Sequence, residues 1–595
     1  MLTAVGGPHD SVRKLVAGLS GLLSFGLCAT VVSGQTYSPK PGSSPLVLLE
    51  APKDSKAYYD SKARAKQLVE VGKLAEAQAL MEQRARDYPR DPENWRLLAG
   101  LRSATGDHTG AAEAYETAGT LWGWGIGQAN GYMAAASHLA AGNRRKALDR
   151  LRWLIEEQHG FYRASLYNWP EFAALKEDPE FLTLIGRVDA GGWTRERGWL
   201  HDIDLLHDEV KRVNPDYRDA PFPAAFTRAY AQLKANVPKL SDEEIFVGMQ
   251  RMLATLRQGH LVLWADDSAT TPNRYLPLRL YAFPQGLFVI DASDAHRELI
   301  GFRVVAIGGV PADEALRRFA GSMSVDGEMQ YLWGASRLAE TYYLKGIGAT
   351  PATDRVQLTV TGPAGERRVS LPTVAKEMPG RQDKLIAPRG VIAPLFLTDV
   401  NIAFREQLLP AHDALYVQIN NLRDGKDETL DAYGQRLWTM IEKDKPTALI
   451  LDLRHNNGGT TQLYPNLLRT IVAFSRVPGN QVYALIGRRT YSAAGNFITD
   501  LERLADPVFV GEASSECCNL YGDPTYVRLP YSKVQGELTA VKWQLSEPGD
   551  RRREISPHVP VQLTADAYFA GRDPALETLL RIISDQQKNR TTSNR

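Results

Sequence analysis

Ala448-Leu449-Ile450-Leu451-Asp452-Leu453-Arg454-His455-Asn456-Asn457-Gly458-Gly459 decides the fold of this chain. Four apolar residues followed by a turn rich in Asn and Gly read as a buried strand that stops sharply. The paired glycines open backbone conformations closed to other residues and allow close approach of another group. A helical pattern follows (Leu463, Leu467, Leu468, Ile471, Val472), and then a second buried strand, Val482-Tyr483-Ala484-Leu485-Ile486. That strand delivers Thr490-Tyr491-Ser492-Ala493-Ala494-Gly495, after which Phe497, Ile498, Leu501 and Leu504 mark another helix. Two successive strand–turn–helix units therefore offer backbone N–H groups at Gly459 and a hydroxyl at Ser492, two parts of an acyl-transfer site.

The pattern continues on both sides. Ala414-Leu415-Tyr416-Val417-Gln418-Ile419 reads as a strand, Leu430 to Ile441 as a helix, and Val508-Phe509-Val510-Gly511 as a further strand. Strands alternating with helices predict an α/β layer built on a largely parallel sheet.

Together, Asp452-Leu453-Arg454-His455-Asn456-Asn457-Gly458-Gly459 and Thr490-Tyr491-Ser492-Ala493-Ala494 resemble the core of the tail-specific (C-terminal-processing) serine peptidases, whose relatives include the tricorn protease core and interphotoreceptor retinoid-binding protein. The resemblance runs over residues 190 to 585 and is strongest from 448 to 530. It implies a ClpP/crotonase-like α/β core and peptide-bond hydrolysis through an acyl-enzyme on Ser492. By the same resemblance the N–H groups of Gly459 and Ala493 form the oxyanion hole.

In the tail-specific branch the base is a lysine one βα unit after the serine. Here that region reads Gly511-Glu512-Ala513-Ser514-Ser515-Glu516-Cys517-Cys518-Asn519 and holds no lysine, with Cys517 near the expected place. A simple Ser–Lys dyad is excluded. The tricorn-like branch uses a histidine far upstream at the end of a helical cap, and Gly259-His260 matches that context. Its imidazole titrates near neutrality, as a general base should. The resemblance also implies a carboxylate before the closing segment Ser556-Pro557-His558-Val559-Pro560, which Asp550 or Glu554 could supply, Asp550 lying nearer the offset. Asp452 and Arg454 are expected to form a structural ion pair, and His455 to be structural.

The remaining chain is expected to be multidomain. At 595 residues it needs about three or four cores. Arg13 and Lys14 before the apolar stretch Leu15 to Val32, with Val32-Ser33-Gly34 as a small-residue cleavage site, predict a signal peptide over 1–34 and an exported protein. The alternative is a single-span N-terminal anchor. Residues 35–59 read as a linker. Gly72, Gly106 and Gly142 recur at spacings of 34 and 36 residues, each five residues before an alanine (Ala77, Ala111, Ala147). That period resembles tetratricopeptide repeats and predicts an α-helical repeat module over 60–187, a packing unit or a groove for a partner protein. A helical cap is expected over 188–265, a β-rich module resembling a degenerate PDZ domain over 266–375, and the α/β core over 376–590.

A net charge of +1 leaves no electrostatic footprint for nucleic acid. No phosphate-binding loop and no metal-ligand spacing occurs, so no cofactor is expected. Cys28, Cys517 and Cys518 are the only cysteines. The last two are adjacent and cannot staple distant parts of a fold. The composition thus leaves two readings: an exported serine-type peptidase acting on peptides or proteins, or a catalytically silent binding protein of the same fold.

Overall fold

A computed structural model describes residues 55–122, 126–160, 162–265, 273–325, 329–351, 354–376 and 384–593. The expected signal peptide and nearly all of the linker lie outside them. The described chain forms two compact units, one ending at Asp189 and the other beginning at Ala190.

The first unit is helical. Helices Ser55–Glu70 and Leu74–Asp87, Pro92–Ala104 and His108–Trp122, Ile126–Ala140 and Arg144–Arg152 follow one another, and within each of these pairs a short turn joins the two. Gly72, Gly106 and Gly142 stand at those turns with φ of 75°, 89° and 80°, a region that side chains disfavour. After each glycine, the next N–H reaches back to a carbonyl five residues earlier (Lys73 to Leu68, Asp107 to Arg102, Asn143 to His138). This is the Schellman end of a helix. The alanines five residues on, Ala77, Ala111 and Ala147, are fully buried, so backbones approach closely there. The first helix begins inside the expected linker.

The second unit is mixed α/β. Three helices open it: Arg195–Val213, Ala224–Asn236 and Asp242–Ala254, the last started by a Ser241/Glu244 capping box. A six-stranded sheet then forms from Leu278–Phe283, Gly286–Ala292, Arg303–Ile307, Arg355–Gly362 and Gly365–Pro372, with the short Val310–Pro311 beside the third. All its pairings are antiparallel.

The central sheet has the spatial order Val559–Pro560, Val508–Gly511, Gln481–Ile486, Ala448–Asp452, Ala414–Ile419, Phe404–Leu409. The first five strands are parallel, and the Phe404–Leu409 edge strand is antiparallel. Both faces are covered. Leu449, Leu451, Val482, Ala484 and Ile486 pack with Leu437, Leu467, Ile471, Phe497 and Leu501 of three helices. Ile450, Tyr483, Leu485 and Val510 pack against Leu576, Leu579 and Ile583 of the last helix, Pro574–Ser593. Burial on both faces is why these strands read as unbroken apolar runs. Because the strands are parallel and in register, the loops after Asp452, Ile486 and Gly511 all leave the same edge.

The βα alternation stops at Gly511. Between 512 and 558 the chain leaves the sheet and makes small antiparallel pairings. One of them joins Gln535–Leu538 to both Thr525–Arg528 and the upstream strand Val262–Trp264. Its anchor is Asp202, a fully buried carboxylate that accepts the Tyr531 N–H (3.1 Å) and the Ser532 N–H (2.7 Å). The opening helices are thereby tied to the far end of the chain. Among the described residues, no helix is long and apolar enough to cross a membrane.

Candidate active site

Ser492 caps the helix Ala493–Ala505 immediately after the Gln481–Ile486 strand and its turn. Its backbone sits at φ 58° and ψ −128°, a conformation that costs about 1–3 kcal/mol for a residue with a side chain. The surroundings hold it there. Tyr491 donates its N–H to the Asn456 carbonyl (3.2 Å), and Thr490 Oγ1 donates to the Leu453 carbonyl (3.0 Å). The Ser492 N–H points into the protein, to Glu516 Oε2 at 2.9 Å. The two motif loops are thus laced to one another.

His260 follows the helix Asp242–Ala254 and precedes the Val262–Trp264 strand. It also has a positive φ, 57°. Its N–H donates to the Tyr491 hydroxyl (3.1 Å), and its ring lies tilted over the Tyr491 ring. Its Nε2 stands 3.1 Å from Ser492 Oγ. Serine and histidine, 232 positions apart, are therefore within hydrogen-bond reach.

Asp550 and Glu554 are not among the groups at this imidazole. Asp550 is engaged by Arg552 and by Ser546 Oγ (2.7 Å), and the Arg552 guanidinium holds its carboxyl well below the usual range. The carboxylate behind His260 is Glu537, whose Oε2 is 3.7 Å from Nδ1. That is a charge contact, longer than a hydrogen bond. Register explains it: Glu537 lies opposite Val262, two residues after the histidine. Gly536 permits this pairing, since a Cβ there would fall 2.5 Å from Leu263 Cδ2 and 2.6 Å from the Val262 carbonyl. No local pattern around Glu537 announces this contact, because the pairing partner lies far upstream.

Burial pushes the His260 pKa down, but the contact with Glu537 and the negative charges of Glu516, Glu537 and Asp523 outweigh it. The net result is a pKa raised above its ordinary value of 6.5.

The Gly458-Gly459 turn lies against the serine. Leu422 donates its N–H to the Gly458 carbonyl (2.9 Å), and the Thr460 N–H donates to the Leu422 carbonyl (2.8 Å). The Gly458 N–H is used by Asn456 Oδ1 at 3.0 Å. Among the described residues, neither the Gly459 N–H nor the Ala493 N–H has a hydrogen-bond partner. Gly458 makes the closest approach: with φ 104°, a Cβ on it would sit 2.7 Å from Ser492 Cβ and 2.9 Å from the Ala493 nitrogen. Gly458→Ala is expected to cost about 1–3 kcal/mol of stability from backbone strain alone. By displacing the serine it should also slow modification of Ser492 by a serine-directed phosphonate about 100-fold. A chemical melt beside an active-site labelling rate measures both.

Other singled-out residues serve the frame. Arg454 pairs with Asp452 (2.5 Å) and with Asp573 (2.7 Å). His455 is buried and stacks on Phe396. His558 Nδ1 accepts the Phe509 N–H (3.0 Å). Cys517 is joined to Cys518 by a disulfide, so it has no free thiol.

No family model matches the chain, and no curated protein matches its sequence. Solved structures do. Mature CPAF complexed with lactacystin matches at 12% identity with a TM-score of 0.50, covering 66% of this chain and 99% of that one. Photosystem II D1 C-terminal processing protease matches at 15% identity and a TM-score of 0.31, over 65% of this chain and 97% of that one. Tricorn protease matches at 13% identity and a TM-score of 0.32, over 66% of this chain and 37% of that one. Across 66% of its length, this chain has the fold of mature CPAF.

Proposed function

We propose that the protein is a serine-type peptidase in which Ser492 is the nucleophile and His260 the general base. The observation that carries this proposal is the 3.1 Å approach of His260 Nε2 to Ser492 Oγ, with the Glu537 carboxylate on the far side of the same ring. Such a relay needs a base within reach of the hydroxyl proton and a third group that orients the base.

His260 takes the hydroxyl proton as Ser492 Oγ attacks the scissile carbonyl. The negative charge that develops on the carbonyl oxygen faces the Gly459 and Ala493 N–H groups, each worth about 3 kcal/mol of barrier when aimed at that oxygen. The protonated imidazole then gives its proton to the leaving amine, which departs and leaves an acyl-serine. Water repeats the sequence with the same base and releases the acid. Glu537 keeps the proton on Nδ1 and stabilises the imidazolium between these steps. The strained serine backbone aims the hydroxyl before substrate arrives, so little is left to organise in the transition state.

Hydrolysis of a mixed peptide pool, read by mass spectrometry, tests the proposal. Cleavage products that form with wild type and are absent with Ser492→Ala support it. A folded wild type that cleaves no peptide in the pool, and is inert to a serine-directed phosphonate, would move the assignment to a silent ligand-binding protein.

Glu537→Gln is expected to lower kcat/KM about 100-fold and to move the acidic limb of the pH profile downward. The sign follows from the charge. Glu537 favours the imidazolium, and its removal lets His260 lose its proton at lower pH. A pH–rate profile of the variant beside wild type reads both effects.

A further inference from the structure

Behind Ser492 lies a buried group that the relay does not use. Glu516 is fully buried, yet its Oε2 accepts the Ser492 N–H at 2.9 Å. Its other oxygen fills the space where a side chain on Gly259 would begin, since a Cβ there would fall 2.0 Å from Oε1. One carboxylate therefore abuts both the turn that presents the nucleophile and the turn that presents the histidine.

What holds Glu516 is the segment just after it. The next two residues, Cys517 and Cys518, are joined to each other by a disulfide. Both are buried, at 2% and 0% exposure. Cys518 has φ 71°, and its N–H donates to Thr499 Oγ1 (2.8 Å) on the helix that Ser492 caps. Upstream, the Ser515 N–H donates to the Thr490 carbonyl (3.0 Å), and Ser515 Oγ donates to the Arg488 carbonyl (2.5 Å). Glu516 is thus clamped between the loop before Ser492 and a covalent ring packed on the helix after it. A disulfide between neighbours links no distant parts of the chain. Its effect is local: it closes a small ring and fixes the backbone at 517 and 518.

We propose that Glu516 is the positioning residue for Ser492 and that the Cys517–Cys518 disulfide is a redox latch that holds it in place. This rests on the peptidase assignment. Reduction by a dithiol would proceed by attack of one thiolate on one cysteine sulfur, giving a mixed disulfide and one free cysteine thiol. The second thiolate of the dithiol then displaces the other cysteine sulfur. Two electrons pass to the protein, two cysteine thiols result, and the dithiol leaves as its own disulfide. The freed backbone no longer fixes Glu516, the Ser492 N–H loses its acceptor, and the hydroxyl drifts from His260. Because both sulfurs are buried, reduction requires the segment to open and is slow in the native state.

The test uses the full chain. The labelling rate with a fluorophosphonate is measured for the oxidised wild type, the double variant Cys517→Ser/Cys518→Ser, Glu516→Ala and Glu516→Gln. The double variant and Glu516→Ala are expected to label about 100-fold more slowly. Glu516→Gln, which keeps an oxygen for the Ser492 N–H, is expected to recover most of the rate. In parallel, the His260 ring is titrated by NMR of 13C-labelled histidine, assigned with His260→Gln. Its titration should move to lower pH in the double variant, because the Glu516 charge leaves its side.

If the double variant does not fold, wild type treated with dithiothreitol takes its place, with two additional cysteines alkylated as proof of reduction. Wild-type labelling and an unchanged His260 titration without the disulfide would overturn the proposal. If the oxidised wild type is not labelled at all, the peptidase assignment falls. The His260 titration then decides the latch alone, a shift supporting it and no shift overturning it.

Discussion

Ser492→Ala is expected to remove essentially all hydrolysis, a loss of roughly 10⁴–10⁶-fold in kcat. In the proposed mechanism the Ser492 hydroxyl forms the acyl intermediate, and the oxyanion donors alone would leave a small residue of catalysis. The backbone makes a second, sharper expectation possible. Ser492 holds φ 58° and ψ −128°, and glycine adopts such a conformation without a Cβ penalty. Ser492→Gly should therefore be as inactive as the alanine variant, yet more stable than wild type by about 1 kcal/mol. Denaturant unfolding of the three proteins checks this. A glycine variant less stable than wild type would show that the serine side chain stabilises the turn by more than its strain costs.

His260→Gln is the second large loss, roughly 10³–10⁶-fold in kcat/KM. Glutamine can fill part of the space and accept the hydroxyl hydrogen bond, but it cannot take the proton. The wild-type pH profile carries the same information. With His260 as the proposed base, which acts when neutral, activity is expected to rise as pH passes upward through the His260 pKa. That pKa lies above 6.5 because Glu537, Glu516 and Asp523 outweigh the burial that lowers it. The acidic limb is expected above pH 6.5. Stability runs the other way: the histidine's contribution is fully present below its unfolded pKa and is lost as pH rises through the folded value. On the proposed assignment the protein is expected to gain rate and lose a little stability across the same window. An acidic limb well below 6.5 in wild type would remove His260 as the base.

Much of the core was legible because its signals are local. The parallel strands 448–452 and 481–486 read as apolar runs, since both faces are covered, and they deliver Gly458, Gly459 and Ser492 to one edge. The glycine turns of the helical unit were equally plain, since a positive φ leaves its mark on residue type. The nearness of His260 to Ser492 is legible only through the family resemblance, because nothing near it in sequence points to Ser492. The contact of Glu537 with His260 is not legible in the sequence, for a physical reason. It reaches the histidine through an antiparallel pairing between 262–264 and 535–538, and no periodicity announces which distant strand a segment will choose. Asp550 sits at a plausible offset, but in a charge run where Arg552 takes its carboxylate. Adjacent cysteines cannot join distant parts of a fold, and their bond to each other, like the buried Glu516 beside them, is visible only in the structure.

The most direct measurement is fluorophosphonate labelling of the purified protein, with the modified peptide identified by mass spectrometry. A single adduct on Ser492, lost in Ser492→Ala and at least about 100-fold slower in His260→Gln, is the expected result. A folded protein that takes no label, or one that labels Ser492 equally fast without His260, would contradict an activated serine at this site.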